Sequence, residues 1–158
     1  MDKTVTSAEW LAALRAKVGT RFRHQGRSGG GMDCIGLVVA AGRDLGIAKP
    51  GWEFRAYART PDGITLEGEL DRNAIRVPYN RLQPLRYQAK PGNIILFWVD
   101  TVGIPRHIAV YTGVDHQGRD TVIHSYAQEA RGVVEMPITS SYWTQRVHAI
   151  FKVPGVID

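Results

Sequence analysis

The chain changes character near Pro91. After it, apolar residues fall in short runs and alternations separated by turn residues; before it, they recur at helical intervals or in no clear pattern. Pro91-Gly92-Asn93 is a turn, and residues 94–99 are too apolar for a half-exposed strand, so that strand is predicted to be central. Residues 107–113 alternate, with Ile108 and Val110 on one face and His107, Ala109 and Tyr111 on the other. Residues 114–120 form a polar hairpin loop, and 121–126, 133–138 and 146–153 complete about five strands. Helices followed by strands on short turns predict an α+β fold with an antiparallel sheet, in a single domain spanning 1–158.

The helical part has two strong elements. Thr6-Ser7-Ala8-Glu9 has capping-box spacing, and Trp10, Leu11, Leu14 and Val18 follow on one face up to Gly19. The second begins in Gly29-Gly30-Gly31-Met32-Asp33-Cys34-Ile35-Gly36-Leu37-Val38-Val39, where three glycines end and Asp33 is a natural N-cap. The helix predicted over 34–45 is stopped by Gly46. Residues 46–90 are punctuated by prolines, and Leu66, Leu70 and Ala74 suggest one short helix; the stretch reads as an insertion packed on the domain.

Cys34 is the only cysteine, so no intramolecular disulfide can form. In the first turn of a helix its thiol meets the positive end of the dipole, which favours thiolate and predicts a lowered pKa. A small buried hydrophobe is the other reading of such a residue. The net charge is +5, from fifteen Arg and five Lys against 15 acidic residues. This favours an anionic partner such as nucleic acid or cell-wall polymer. No basic cluster is interleaved with aromatics, so nucleic acid is not expected. Residues 1–18 hold no apolar core of signal-peptide length, and no segment approaches a membrane span.

A cysteine nucleophile needs a base and a third polar group to orient it. Of the five histidines, His107 opens a strand, and His124 shares a face of the next strand with Val122 and Tyr126. Hairpin pairing brings the two to one face if the register allows. His116 belongs to a polar loop, His148 to the last strand and His24 to an Arg-rich loop, and all three read as bystanders. Cys34, His107 and His124 could also ligate zinc, but no C-x-x-C, H-x-x-x-H or H-E-x-x-H spacing is present. No metal or other cofactor is expected.

Five motifs in order carry a resemblance: Gly19-Thr20-Arg21-Phe22-Arg23-His24-Gln25-Gly26; Asp33-Cys34-Ile35-Gly36-Leu37-Val38; Pro91-Gly92-Asn93-Ile94-Ile95-Leu96-Phe97; His107-Ile108-Ala109-Val110-Tyr111-Thr112-Gly113; and Val122-Ile123-His124. Together they resemble the NlpC-type cysteine peptidases of the NlpC/p60 superfamily. There G-T-P-Y precedes D-C-S-G-L-V, a P-G-D strand start, an H-V-G-I-Y strand and an F-I-H-A strand. The likeness covers most of 7–153, with 47–90 matched weakly. The short chain, and His24-Gln25-Gly26 in place of Trp-Gly-Gly, resemble the branch carried by tailed phages and gene-transfer agents.

The resemblance implies a papain-like fold in which Cys34 is nucleophile, His107 general base and His124 the third polar residue. It implies hydrolysis of peptide bonds in peptidoglycan stem peptides, with phage-like tail-tip proteins as partners. The protein would be made in a bacterial cytoplasm, carried on a phage-like tail and active in the periplasm of the target cell. Asp33, Phe22 and Ile35 fall at substrate-lining positions. Phe22 replaces the family's Tyr and Ile35 its Ser, while Asp33 is kept. The hairpin between the histidines is longer than is common in the family. Two other functions fit the same residues: a structural tail-tip subunit with little turnover, and an amidase, thioesterase or acyltransferase using the same Cys-His pair.

Overall fold

The computed structural model describes residues 2–53, 63–98, 104–127 and 131–158. Three helices pack on one face of a six-stranded antiparallel sheet. In chain order the elements are β1 (Val5–Thr6), α1 (Ser7–Arg15), β2 (Arg27–Ser28), β3 (Gly31–Met32), α2 (Cys34–Leu45), α3 (Gly63–Asn73), β4 (Ile75–Val77), β5 (Ile94–Trp98), β6 (Pro105–Val114), β7 (Asp120–Tyr126), β8 (Gly132–Pro137), α4 (Ser141–Thr144), β9 (Val147–Lys152) and β10 (Val156–Ile157). The large sheet has the order β4-β9-β5-β6-β7-β8, while β1–β10 and β2–β3 form separate pairs.

The helix ends follow from local chemistry. Thr6 caps α1 in a full capping box with Glu9. The helix ends at Arg15, a turn earlier than its apolar stripe suggests, because residues 16–20 close into tight turns, with Thr20 N–H bonded to the Lys17 carbonyl. Asp33 caps α2 by accepting the Gly36 N–H at 2.7 Å, and Gly46 ends it at φ 73°, a left-handed turn that glycine adopts without strain. Nine of the twelve α2 residues are buried, so α2 is the central helix rather than a surface one.

The five predicted strands are all present, with residue 99 outside the described residues. As expected, β5 is central, between β9 and β6, with Ile95, Leu96 and Phe97 fully buried. The expectation of about five strands is corrected to six. The extra strand, β4, is three residues long and pairs Ile75–Val77 with Ile150–Lys152 at the sheet edge. Its Ile-Arg-Val between Ala74 and Pro78 is too short to show a period, and only the neighbouring β9 makes it a strand. The same stretch holds α3, which buries Leu66 and Leu70; residues 54–62 of the expected insertion lie outside the described residues.

Alternation along the strands divides the core in two. Ile94, Leu96, Ile108, Val110, Ile123 and Phe151 face the helices. Ile95, Phe97, Ala109, Tyr111, Val122 and Ile150 face the other way, against Ile138, Trp143 and Ala89. Cross-links fix the helices to the sheet: Trp10 Nε1 donates to the Gly92 carbonyl at 3.1 Å, and Ser125 Oγ donates to the Met32 carbonyl at 2.6 Å. The second bond ties β7 to the loop that delivers Cys34.

The start of α2 is packed so closely against the preceding loop that a Cβ on Gly36 would collide with the Gly26 carbonyl oxygen. Replacing Gly36 with alanine should therefore cost roughly 1–3 kcal/mol, the range for over-packing a tight contact. Urea denaturation of Gly36→Ala beside wild type measures this, and unchanged stability would show that the loop yields freely.

Candidate active site

Cys34 is the first residue of α2 and is 7% exposed. The backbone N–H groups of Ile108, Ile35 and Cys34 itself favour its ionised form. Ile108 directly follows His107 on β6, and α2 packs on β6 and β7. Among the described residues the sulfur makes no side-chain hydrogen bond.

His107 and His124 meet directly. Pairing of Val110 with Ile123 places His124 one step further on, beside Ala109 and on the same face as His107. His107 Nε2 lies 2.8 Å from His124 Nδ1. His107 is 6% exposed and His124 fully buried. Aromatic rings enclose both: Tyr126 stacks on His124 with centroids 5.4 Å apart, and Trp143 presents its edge to His124 at 5.3 Å. Phe97 and Trp143 flank His107 at 6.3 and 6.0 Å. Trp143 was not singled out from sequence, and Tyr126 was placed on the His124 face without a role.

The three residues at expected substrate-lining positions have different surroundings. Asp33 is 4% exposed, and its carboxylate accepts the Gly36 N–H, the Gln25 N–H at 2.8 Å and Arg27 at 3.3 Å. It therefore holds the loop to the helix. Ile35 is buried and lines an apolar cavity of about 70 Å³ with Val38, Leu66, Leu70 and Ile108. Phe22 is half-buried, and its N–H bonds to the Arg131 carbonyl at 2.7 Å. The other histidines stand elsewhere: His116 is exposed, and His148 pairs with Glu67 of α3 at 3.1 Å. Among the described residues, no group of three or more His, Cys, Asp or Glu side chains is placed to hold a metal ion.

The electrostatics reverse the expectation of a lowered thiol pKa. Burial pushes the Cys34 thiol up to about 12, the Asp33 carboxylate acts in the same direction, and the three backbone N–H groups only partly oppose them. Burial also lowers both histidines, His124 to about 4 and His107 well below its ordinary value, the latter helped by its neighbour. At pH 7 the thiol and both imidazoles are thus neutral. A thiol at this pKa is ionised to roughly one part in 10⁵. Use of Cys34 as a nucleophile would therefore require transfer of its proton to an imidazole as the sulfur attacks.

Alkylation of Cys34 by iodoacetamide should accordingly be slow at pH 7 and still rising above pH 9, beyond the midpoint of a free cysteine near roughly 8.5. Asp33→Asn keeps a capping oxygen and removes the like charge, so it should shift the profile to lower pH. A wild-type profile with its midpoint below 8 would contradict a buried, neutral thiol.

A profile of the NlpC/P60 family matches residues 19–152. Among solved structures, an NlpC/P60 family protein from Bacillus cereus superposes with a TM-score of 0.67 at 21% identity, covering 96% of this chain and 41% of that one. The NlpC/p60 domain of the peptidoglycan hydrolase SagA gives 0.59 at 18% identity, covering 94% and 100%. Ly7917, in its complex with the hydrolyzing product of MDP, gives 0.60 at 18% identity, covering 94% and 63%. At these identities the likeness is one of fold, and the chain spans about two fifths of the length of the Bacillus cereus protein. No curated protein sequence matches the chain. The matched stretch runs from the loop before Cys34, through α2 and the strands bearing His107 and His124, to the end of β9, and on that match the chain belongs to the NlpC/P60 family.

Proposed function

We propose that the protein is a cysteine peptidase that hydrolyses peptide bonds in peptidoglycan stem peptides. The observation that carries this reading is a lone cysteine in the first turn of a capped helix that packs on β6 and β7, the strands that carry a buried pair of histidines joined at 2.8 Å. In this reading the Cys34 sulfur attacks the scissile carbonyl while its proton passes to His107. The carbonyl oxygen, now carrying the charge, is received by backbone N–H at the start of α2. His107 then protonates the leaving amine as the C–N bond breaks, giving a thioester. Water, deprotonated by His107, attacks the thioester and releases the acid and the thiol.

The choice of peptidoglycan rests on family membership and on relatives such as the peptidoglycan hydrolase SagA. Charge supports it. Arg106 directly precedes His107, and among the described residues its buried Nε has no hydrogen-bond partner. A cationic side chain next to His107 on β6 suits the carboxylates of stem peptides. The finer reading, a catalytic domain carried on a phage-like tail and working in the periplasm of the target cell, rests on the motif resemblance of the His24-Gln25-Gly26 loop.

The test is mass spectrometry of defined muropeptides incubated with the protein. Wild type should release stem-peptide fragments and Cys34→Ala none. His107→Ala should lose roughly 10²–10⁴-fold in kcat, the usual contribution of a general base. His124→Asn should retain more activity than His124→Ala, and Arg106→Gln should raise KM while leaving kcat near wild type. Cleavage that persists in Cys34→Ala, or that EDTA abolishes and zinc restores, would overturn the assignment. Absence of fragments from folded wild type would favour a structural tail subunit.

A further inference from the structure

The histidine pair does not end at His124. On the neighbouring strand β8, Met136 stands opposite Val122 of β7, which places it on the same face as His124, two residues away diagonally. Its sulfur lies 3.3 Å from His124 Nε2. A thioether has lone pairs and no hydrogen, so it can only accept. We propose that Met136 is a positioning residue that sets the tautomer of both histidines and thereby leaves the Nδ1 lone pair of His107 as the base for Cys34.

The assignment follows by elimination along the chain of contacts. Each neutral imidazole carries one N–H. With the proton of His124 on Nε2, facing Met136, its Nδ1 is an acceptor. The 2.8 Å contact then requires a donor on His107 Nε2. The single proton of His107 is thereby used, and its Nδ1 is bare. The opposite assignment sets the Nε2 lone pair of His124 against the sulfur lone pairs. It also places the His107 proton on Nδ1, where that nitrogen could accept nothing from a thiol. The two states differ only in where protons sit, and Met136 is the residue in contact that distinguishes them. His124 is fully buried, and Tyr126 and Trp143 hold its plane, so Nε2 is shielded from bulk solvent.

This inference rests on the Cys34–His107 reading, but its test needs no peptidoglycan. Long-range ¹H–¹⁵N spectra of protein labelled in its histidine rings report the tautomer directly. In wild type, His107 and His124 should both be protonated at Nε2; finding either protonated at Nδ1 overturns the proposal without recourse to a variant. Met136→Leu keeps the apolar volume and removes the acceptor. It should bring in the second tautomer at His124 and slow Cys34 alkylation at pH 7. With muropeptide it should lower kcat roughly two- to tenfold at unchanged KM, as loss of one weak hydrogen bond allows. A folded Met136→Leu with wild-type spectrum and alkylation rate overturns the proposal even if the enzyme cleaves peptidoglycan. A wild-type spectrum of the expected form in a protein that cleaves no muropeptide supports the tautomer assignment and removes only the substrate.

Discussion

The site depends on one buried carboxylate. Asp33 accepts the Gly36 N–H inside α2, the Gln25 N–H in the preceding loop and the Arg27 guanidinium, and so binds three segments at the point where the helix begins. A helix start leaves backbone donors without intrahelical partners, and a capping acceptor fixes where the first turn lies. Cys34 is the next residue, so its position is set by that cap more than by its own contacts. The close approach of Gly26 to Gly36 completes the clamp, and this is why a residue without a side chain stands two places after the cysteine.

The same carboxylate has an opposing electrostatic effect. It lies beside a thiol already disfavoured from ionising by burial, and it raises the thiol further. Three backbone N–H groups act against this and only partly offset it. Burial of the two histidines acts in the matching direction, keeping both neutral. A site assembled from neutral partners stores no thiolate to be lost to adventitious alkylation or oxidation, and charge appears when a carbonyl is present to receive the sulfur. The positions of the protons, and not only of the heavy atoms, then become part of the geometry.

Strand β6 joins these two halves of the site. Its alternation sends Ile108 toward the helices and His107 toward the ring cluster of Phe97, Tyr126 and Trp143. The backbone between them includes the Ile108 N–H that favours ionised Cys34. Ser125 of β7, adjacent to His124, bonds to Met32 just ahead of Cys34. The nucleophile loop and the histidine strands are therefore linked twice, and displacement of either would be felt at both.

What was legible in the sequence was local. The caps of α1 and α2, the stop at Gly46, the central character of 94–98 and the shared face of His107 and His124 all depend on neighbours a few residues apart. The ordered motifs extended this to the family. The features that were not legible depend on residues distant in sequence. Strand β4 exists only because β9 pairs with it. The α1 stripe through Val18 overran a helix that turns close after Arg15. The Cys34 pKa took the opposite direction from the one a helix start suggests, because desolvation is a property of everything packed around the thiol. Met136 gave no signal at all, since a methionine in a strand reads as core until the register of β7 with β8 puts its sulfur on an imidazole. The sequence by itself determined which residues could do chemistry and on which element each would stand. Burial and strand register, which only tertiary packing decides, determined their protonation and their partners.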